Sequence, residues 1–220
     1  MESGSYSNEI VAIEKPVNRL PDHSKRSKAN ALIVYATRYG ATEGSAKEIA
    51  RILKSEGFDV KLVNVKKEKI QNISEYDLVI IGSGIRVDRW IKETEGFLKS
   101  FKQELVKKKV ALFVSSGTQA IIEYVGTPEE IGRARRKYLE EKAAKYDLQP
   151  ISMRVFGGIW DYNSMPFWSK KAMQRQKEKI NDAGIKETKS GVYDTRNWED
   201  VRYWAKELVE LVNQQTVEVG

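Results

Sequence analysis

The stretch IVYATRYGATEGSAKEIA, from Ile33 to Ala50, begins as a short apolar run and ends as a helical pattern. The apolar run is typical of a buried strand, whereas Ala46, Ile49 and Leu53 recur on one face of a helix. The turn between them carries hydroxyl groups and a glycine, and it consists of Thr37, Arg38, Tyr39, Gly40, Ala41 and Thr42. This order predicts a strand that enters a helix through a polar loop.

Strands and helices alternate along the rest of the chain. Further strands are predicted in DVKLVNV, DLVIIGSG, KVALFVSSG and ISMRVFGGI. Helices are predicted in WIKETEGFLKSFKQEL, PEEIGRARRKYLEEKAAKY and NWEDVRYWAKELVELV, the last of them capped by Asn197. This alternation favours an α/β three-layer sandwich, in which a five-stranded parallel sheet of order 2-1-3-4-5 carries helices on both faces.

The composition limits the chemistry that the chain can perform. Its 220 residues are 40% hydrophobic, which is enough for one domain with a sizeable core. The chain has no cysteine and only one histidine, His23, so disulfides, iron–sulfur clusters, thiol nucleophiles and His-based triads or metal sites are excluded. We therefore expect no metal site, and redox chemistry would require a bound cofactor.

The N-terminal part differs from the rest in composition. Residues 1–28 are rich in serine, proline and charge, and we expect a flexible extension ahead of one domain over residues 29–215. No run reaches the roughly 18–20 apolar residues that cross a membrane. The extension also lacks the apolar core of a secretory signal, so the expected location is cytoplasmic.

The net charge of +7 indicates a basic surface. Such a surface attracts acidic proteins, anionic membranes or nucleic acid, or is simply solvated. Because no dense basic tract contains interleaved aromatic residues, we expect no nucleic-acid partner. The sequence leaves the oligomeric state open.

The polar loop before the first helix suits an anion. A helix N-terminus offers unpaired N–H groups and a partial positive charge, and phosphate binds well there. Thr37 and Thr42 add hydroxyl donors, and Gly40 lets the backbone fold closely around the anion. The loop matches neither the Walker A nor the Gly-x-Gly-x-x-Gly pattern, which favours a mononucleotide. A simple helix cap formed by Thr42 would explain the same residues equally well.

Two more loops are expected at the same edge of the sheet. GSGIRVDRW, from Gly82 to Trp90, follows the third strand, and SSGTQA, from Ser115 to Ala120, follows the fourth. Both offer small residues and exposed backbone, and Ile85 and Trp90 offer apolar surface for a flat ring. Each loop alone could equally be an ordinary turn between a strand and a helix. Since all of them converge beyond the carboxyl ends of the strands, we predict a ligand site there.

The segment GIWDYNSMPFWSKKAMQRQKEK combines aromatic and basic residues. It could form a wall over a ligand or contact an anionic membrane surface. We favour a helix packed on the domain, with its aromatic residues in the core and its lysines in water. Trp160 and Asp161 are the exceptions that we place in the ligand site, because they leave the fifth strand at the ligand edge.

The loops resemble those of the flavodoxin family. TRYGAT resembles the Thr-x-Thr-Gly-x-Thr phosphate loop of that family, and the other two loops match those that flank its flavin. Within the family, TRYG, SGIRVDRW and the C-terminal run KETKSGVYDTRNWEDVRYWAKEL are similar to the flavodoxin-type, menaquinone-dependent protoporphyrinogen oxidases. Tyr39 and Ala41 depart from ordinary flavodoxins, which carry a small hydroxyl residue and often asparagine there.

The resemblance implies a flavodoxin-like fold, an FMN cofactor and a set of cofactor-binding residues. It places Thr37, Arg38, Gly40 and Thr42 around the phosphate. The residues that it implies beside the isoalloxazine ring are Ser83, Gly84, Ile85, Arg86, Ser115, Ser116, Gly117, Thr118 and Gln119. We expect Arg86 to provide the positive charge near the pyrimidine edge of the flavin, with Arg89 a weaker candidate.

Two functions follow as expectations. The first is an oxidoreductase acting on a flat organic substrate of the quinone or porphyrin type, as the likeness to the oxidases implies. The second is an electron carrier that docks to acidic redox proteins through its basic surface. A flavin-free scaffold of the same fold is a weaker alternative. No side chain stands out as an acid or base, so no catalytic residue is predicted.

Overall fold

The computed structural model describes residues 29–117, 127–163, 174, 177–178, 180–182 and 184–217. The expected N-terminal extension lies outside this part of the chain. So do Thr118 and Gln119 of the fourth-strand loop, and Met165, Phe167 and Trp168 of the aromatic-basic segment.

A twisted parallel sheet forms the centre of the molecule. Its strands are β1 (Asn30–Ala36), β2 (Asp59–Asn64), β3 (Leu78–Arg86), β5 (Lys109–Ser115) and β6 (Ser152–Phe156). They lie in the order β2-β1-β3-β5-β6, and β4 (Arg89–Trp90) pairs antiparallel with the end of β3. With β4 set aside, this is the predicted order 2-1-3-4-5, and the flavodoxin-like α/β fold is confirmed.

Helices cover both faces of the sheet. They are α1 (Ala41–Ser55), α2 (Lys92–Ser100), α3 (Lys102–Leu105), α4 (Pro128–Arg135), a π-helical turn (Arg136–Glu140), α5 (Glu141–Lys145) and α6 (Trp198–Val217). On one face, Ile49 of α1 and Trp204 of α6 pack in a core that includes Phe113 of β5. On the other face, Leu98 of α2 packs in a second core with Leu112 of β5. Helices α1, α2 and α6 therefore each bury an apolar stripe against the sheet.

Helix α6 begins as predicted. The Asn197 side-chain oxygen accepts hydrogen bonds from the backbone N–H groups of Glu199 at 3.0 Å and Asp200 at 3.2 Å. These bonds satisfy N–H groups that have no partner within the helix. Within the described residues, no helix is long and apolar enough to cross a membrane.

The predicted fifth strand is shorter than its apolar run. Strand β6 ends at Phe156, and Ile159 already belongs to a small antiparallel sheet of order β7-β9-β8. This second sheet consists of β7 (Ile159–Asp161), β8 (Glu187–Lys189) and β9 (Val192–Asp194). A Cβ at Gly157 would lie 2.0 Å from the carbonyl oxygen of Thr195, and one at Gly158 would lie 2.7 Å from the amide nitrogen of Gly117. The chain can change sheets here only because both residues are glycine.

Candidate functional site

A cleft of about 380 Å³ opens beyond the carboxyl ends of β1, β3 and β5. The register explains this position, since Ala36 of β1 lies beside Ser83 of β3, and Gly84 lies beside Ser115 of β5. The three loops therefore leave the sheet at one level. The predicted site residues that line the cleft are Thr37, Arg38, Tyr39, Ala41, Thr42, Gly84, Ile85, Arg86, Ser115, Ser116, Gly117 and Trp160.

The first loop is held in shape by a glycine turn and by a hydrogen bond from its backbone to the Thr37 side chain. Gly40 has a left-handed φ of 85°, and its N–H donates to Thr37 Oγ1 at 3.0 Å. A residue with a Cβ would be strained at this φ, which accounts for the glycine. Gly40 precedes α1 and does not line the cleft itself, and no side chain caps the helix. The simple cap that Thr42 could have formed is therefore not present.

Two hydroxyl groups in the cleft have no hydrogen-bond partner among the described residues. Thr42 is 1% exposed and Ser115 is 5% exposed, and neither Thr42 Oγ1 nor Ser115 Oγ makes a hydrogen bond. A buried hydroxyl without a partner costs about 1–3 kcal/mol. A ligand with acceptor oxygens would offset that cost at Thr42, and a polar ring edge would do so at Ser115.

Two glycines leave the loop backbone exposed to the centre of a narrow cleft. A Cβ at Gly84 would lie 3.3 Å from both Thr42 Oγ1 and Ile91 Cδ1. A Cβ at Gly117 would lie 3.5 Å from the nearest atom, Cβ of Trp160. The backbone of both loops can thus approach a flat ligand closely.

The aromatic residues at the cleft differ in exposure. Tyr39 is 45% exposed at the mouth, and its ring lies 5.2 Å from the Arg38 guanidinium carbon. Trp160 is 5% exposed, and its ring packs against those of Tyr162 and Tyr193 at centroid distances of 6.0 and 5.7 Å. Trp160 therefore forms a fixed wall, whereas Tyr39 presents free apolar surface.

Three other predicted residues lie behind or beside the cleft. Ser83 Oγ accepts from the Ile91 N–H at 3.0 Å and donates to the Gly84 carbonyl at 3.0 Å, which anchors the third-strand loop. Trp90 is buried in the core, and its Nε1 donates to the Tyr138 carbonyl at 2.7 Å. Asp161 lies in β7, where its carboxylate accepts from the Asn163 N–H at 2.9 Å.

Trp90 turns away from the cleft because of the hairpin that precedes it. Arg86 pairs with Arg89 across a turn in which Val87 and Asp88 both have left-handed φ angles of 43° and 64°. Left-handed angles at both central residues are typical of a tight type I′ hairpin. The turn folds β4 back on β3 and directs the indole into the core. The dipeptide Val-Asp gives little signal for such a turn, so the sequence did not indicate it.

The structure also brings Tyr138 to the cleft, which sequence reasoning missed. Tyr138 lies in the π-helical turn, and its hydroxyl donates to the Asp88 carboxylate, which also accepts from Lys137. Burial raises the pKa of Tyr138 well above its usual range, and the bond to Asp88 adds to this effect. The bond from Lys137, followed by that from Tyr138, lowers the pKa of Asp88. Tyr138 is therefore a neutral donor and Asp88 an anion at neutral pH.

A second missed residue, Arg196, supports the first loop from behind. Its side chain is 9% exposed, and it donates from Nε and Nη2 to Asp194 at 2.8 and 2.5 Å and from Nη1 to the Ala41 carbonyl at 3.1 Å. Its guanidinium carbon lies 4.3 Å from the centre of the Trp198 ring. A Cβ at Gly44 would lie 2.1 Å from Arg196 Nη1. This clamp joins the start of α1 to the small sheet.

The chemistry of the lining suits an organic cofactor with an anionic group. The lining combines hydroxyl groups and the uncapped N-terminus of α1 with glycine backbone and apolar walls. Among the described residues, no group of three or more acidic, His or Cys side chains could hold a metal ion.

The chain is similar to proteins of the flavodoxin type. A family model described as "Flavodoxin domain" matches residues 32–184, more than half of the chain. The protoporphyrinogen IX dehydrogenase [quinone] of Escherichia coli (strain K12) is 26% identical over 188 residues, covering 84% of this chain and 98% of that protein. A flavodoxin of Clostridium beijerinckii is 34% identical over 87 residues, covering 39% of this chain and 63% of that protein. The crystal structure of a Fusobacterium nucleatum flavodoxin mutant bound to flavin mononucleotide matches with 23% identity and a TM-score of 0.40, covering 59% of this chain and 69% of that one.

Proposed function

The chain belongs to the flavodoxin domain family, and from this premise we propose that it is a redox protein that binds FMN in the cleft at the carboxyl edge of its sheet. When bound, FMN supplies one- and two-electron chemistry that no side chain of this chain could provide.

The observation that carries this proposal is the buried, unpartnered hydroxyl of Thr42 at the uncapped start of α1. A phosphate there would accept from Thr42 Oγ1 and from the free N–H groups of the first helical turn. Thr37 Oγ1 already accepts from Gly40 and can still donate its own hydrogen. Arg38 contributes a positive charge from the exposed side of the loop.

The rest of the cleft suits the flavin ring. Gly84 and Gly117 leave room for the backbone to approach the ring edge, and the Ser115 hydroxyl would gain a partner there. Ile85 and Trp160 provide apolar wall, and Arg86 also lines the cleft. A cation beside the pyrimidine edge stabilises a negative charge on the reduced ring, so Arg86 would raise its reduction potential.

The finer function that we propose is a dehydrogenase acting on a flat organic substrate of the porphyrin type, with a quinone as electron acceptor. Its support is the likeness to the Escherichia coli dehydrogenase, which extends over nearly the whole of that protein. The exposed ring of Tyr39 at the mouth adds apolar surface for such a substrate. Asp88 and Tyr138 are the groups at the cleft that could exchange a proton with it.

A second candidate is an electron carrier without a small substrate. Its support is the set of cations at the mouth of the cleft, which includes Arg38, Lys66 and Arg86. Cations on an open surface suit an acidic partner protein, whose approach they would accelerate.

Purified protein incubated with excess FMN and then desalted tests the main proposal. We expect it to retain the visible absorption of bound flavin, and to bind riboflavin more weakly because riboflavin lacks the phosphate. Protein that stays colourless would refute the proposal. For the finer function, the holoprotein is mixed anaerobically with protoporphyrinogen or with a quinol. Bleaching of the flavin by these compounds supports the dehydrogenase, whereas exchange only with a redox protein supports the carrier.

A further inference from the structure

The β3–β4 hairpin stands between three open spaces. Arg86, Val87 and Asp88 line the candidate flavin cleft of about 380 Å³. Arg86, Val87 and Arg89 also line a neighbouring groove of about 440 Å³. Asp88 and Arg89 line a third cavity, of about 420 Å³, whose other walls include side chains of the helical segment 136–145. The fold therefore leaves the tip of the hairpin room to move.

The hairpin itself provides little that would keep it in place. Strand β4 pairs with β3 at two positions, Ile85 with Trp90 and Arg86 with Arg89. The second pair sets two cations opposite each other, which is destabilising. Val87 at the tip is 85% exposed and has a left-handed φ of 43°, which is costly for a β-branched residue. A short two-stranded hairpin is at best marginally stable alone, so contacts from outside must fix its position.

Those contacts come from the π-helical turn. The Asp88 carboxylate accepts hydrogen bonds from Lys137 Nζ and from the Tyr138 hydroxyl, which lie 49 and 50 positions further along the chain. We call these two bonds the latch. Within the described chain, Asp88 is the only residue from 86 to 89 whose side chain forms a hydrogen bond or an ion pair. The position of the hairpin tip therefore depends on the latch.

Tyr138 holds the hairpin at two points. Its hydroxyl binds Asp88 at the tip, and its carbonyl accepts from Trp90 Nε1 at 2.7 Å at the base. Its side chain lines both the cleft and the third cavity. The π-helical turn that carries it is a rare conformation that often occurs at functional sites. With the latch closed, Tyr138 and Asp88 form a common wall between the two spaces.

We infer that the latch controls the entry and release of the flavin ring, with Asp88 and Tyr138 as positioning residues. The closed latch holds Ile85 and Arg86 of the hairpin at the cleft, and its opening moves the tip aside so that the ring can pass. The inference rests on the proposed binding of FMN, although the latch itself forms without the flavin. Neither residue needs to bind the cofactor for this role.

Two substitutions break the latch from opposite sides. Tyr138→Phe removes the hydroxyl and keeps the ring, whereas Asp88→Gly removes the acceptor of both bonds. Glycine suits position 88, because its φ of 64° is left-handed. Tyr146→Phe is the matched control. The Tyr146 hydroxyl also donates to a distant carboxylate, that of Glu95 at 3.2 Å, and Tyr146 does not line the cleft.

The test measures FMN binding and release by stopped-flow fluorescence, with release followed in the presence of a competing apoflavoprotein. Because the ring passes the hairpin in both directions, a broken latch should raise both rate constants and leave the dissociation constant nearly unchanged. We expect Tyr138→Phe to raise both by at least about fivefold, a modest factor for a partly exposed bond to a charged group. Asp88→Gly should raise them further.

The double variant Asp88→Gly/Tyr138→Phe should match Asp88→Gly, since both changes remove the same contact. Tyr146→Phe should leave both rate constants at their wild-type values. A rise in the release rate alone would show that Tyr138 merely stabilises the bound state, and it would overturn the inference. Unchanged rate constants in the latch variants, or an equal change in the control, would do the same.

Hydrogen exchange separates the latch from the question of FMN binding. Amide exchange at residues 86–90 is measured by mass spectrometry in the apoproteins. We expect Tyr138→Phe and Asp88→Gly to exchange at least about fivefold faster there than wild type, and Tyr146→Phe to match wild type. If exchange rises as expected but FMN does not bind, the latch stands and the cofactor site fails. If FMN binds but exchange at residues 86–90 is the same in all forms, the latch is refuted and the cofactor site stands.

Discussion

Replacing Thr42 by valine distinguishes the effect of its hydroxyl on cofactor binding from its effect on the stability of the fold. Valine matches threonine in shape and removes only the hydroxyl, whose oxygen is buried and has no partner. Since an unsatisfied buried hydroxyl costs about 1–3 kcal/mol, the apoprotein should become more stable by up to that amount. For a chain of this size, each kcal/mol raises the melting temperature by about 2–4 °C.

The same substitution should weaken FMN binding. A hydrogen bond to a charged group contributes about 1.5–3 kcal/mol, which corresponds to roughly a 10- to 150-fold rise in the dissociation constant. Thr94→Val is the matched control, because Thr94 is 0% exposed, its hydroxyl also lacks a partner among the described residues, and it does not line the cleft. It should stabilise the apoprotein similarly and leave FMN affinity unchanged.

The assay is fluorescence titration of FMN and of riboflavin into each apoprotein, with melting curves recorded alongside. The loss for Thr42→Val should be confined to FMN, since riboflavin has no phosphate. If both variants bind FMN equally, or if Thr42→Val weakens riboflavin as much as FMN, the phosphate does not lie at this hydroxyl. A less stable Thr42→Val apoprotein would show that the hydroxyl has a partner after all.

Two further substitutions address the framework of the site. Arg196→Met leaves the partly buried Asp194 carboxylate without its charged partner. Urea unfolding should therefore show a loss of stability of about 1.5–3 kcal/mol, FMN should bind more weakly, and Arg196→Lys should recover part of both. Hydrogen bonds from Arg51, the larger effect, and from Arg202 lower the pKa of Glu48 to about 2. The ionised Glu48 therefore stabilises the fold above pH 4.5, and this contribution disappears as the pH falls towards 2. Glu48→Gln should therefore be less stable than wild type at pH 7 and equal to it near pH 2; a gap that stays constant with pH would contradict this reasoning.

Local patterns predicted most of the fold. Apolar runs and helical spacing indicated every parallel strand, and the alternation of elements indicated their order. The convergence of three loops at one edge followed from that order. Strand β6 was predicted too long, because Gly157 and Gly158 continue an apolar run while the chain changes sheets. Apolar pattern alone cannot show such a change.

Features of the site that depend on distant contacts were not predicted. Arg196 reaches Ala41 across 155 positions of sequence, and no local pattern links them. Tyr138 comes to the cleft through a π-helical turn that has no sequence signal. Trp90 was expected at the ligand and lies in the core, because the left-handed turn at Val87 and Asp88 reverses the chain before it.

The clamp from Arg196 to Ala41 has a consequence for biosynthesis. The loop that would hold the phosphate is translated 155 positions before the arginine that braces it. A nascent chain therefore carries an unbraced loop until Arg196 has left the ribosome and reached α1. Capture of a cofactor by the braced loop would then coincide with the docking of helix α6, which begins two residues after Arg196.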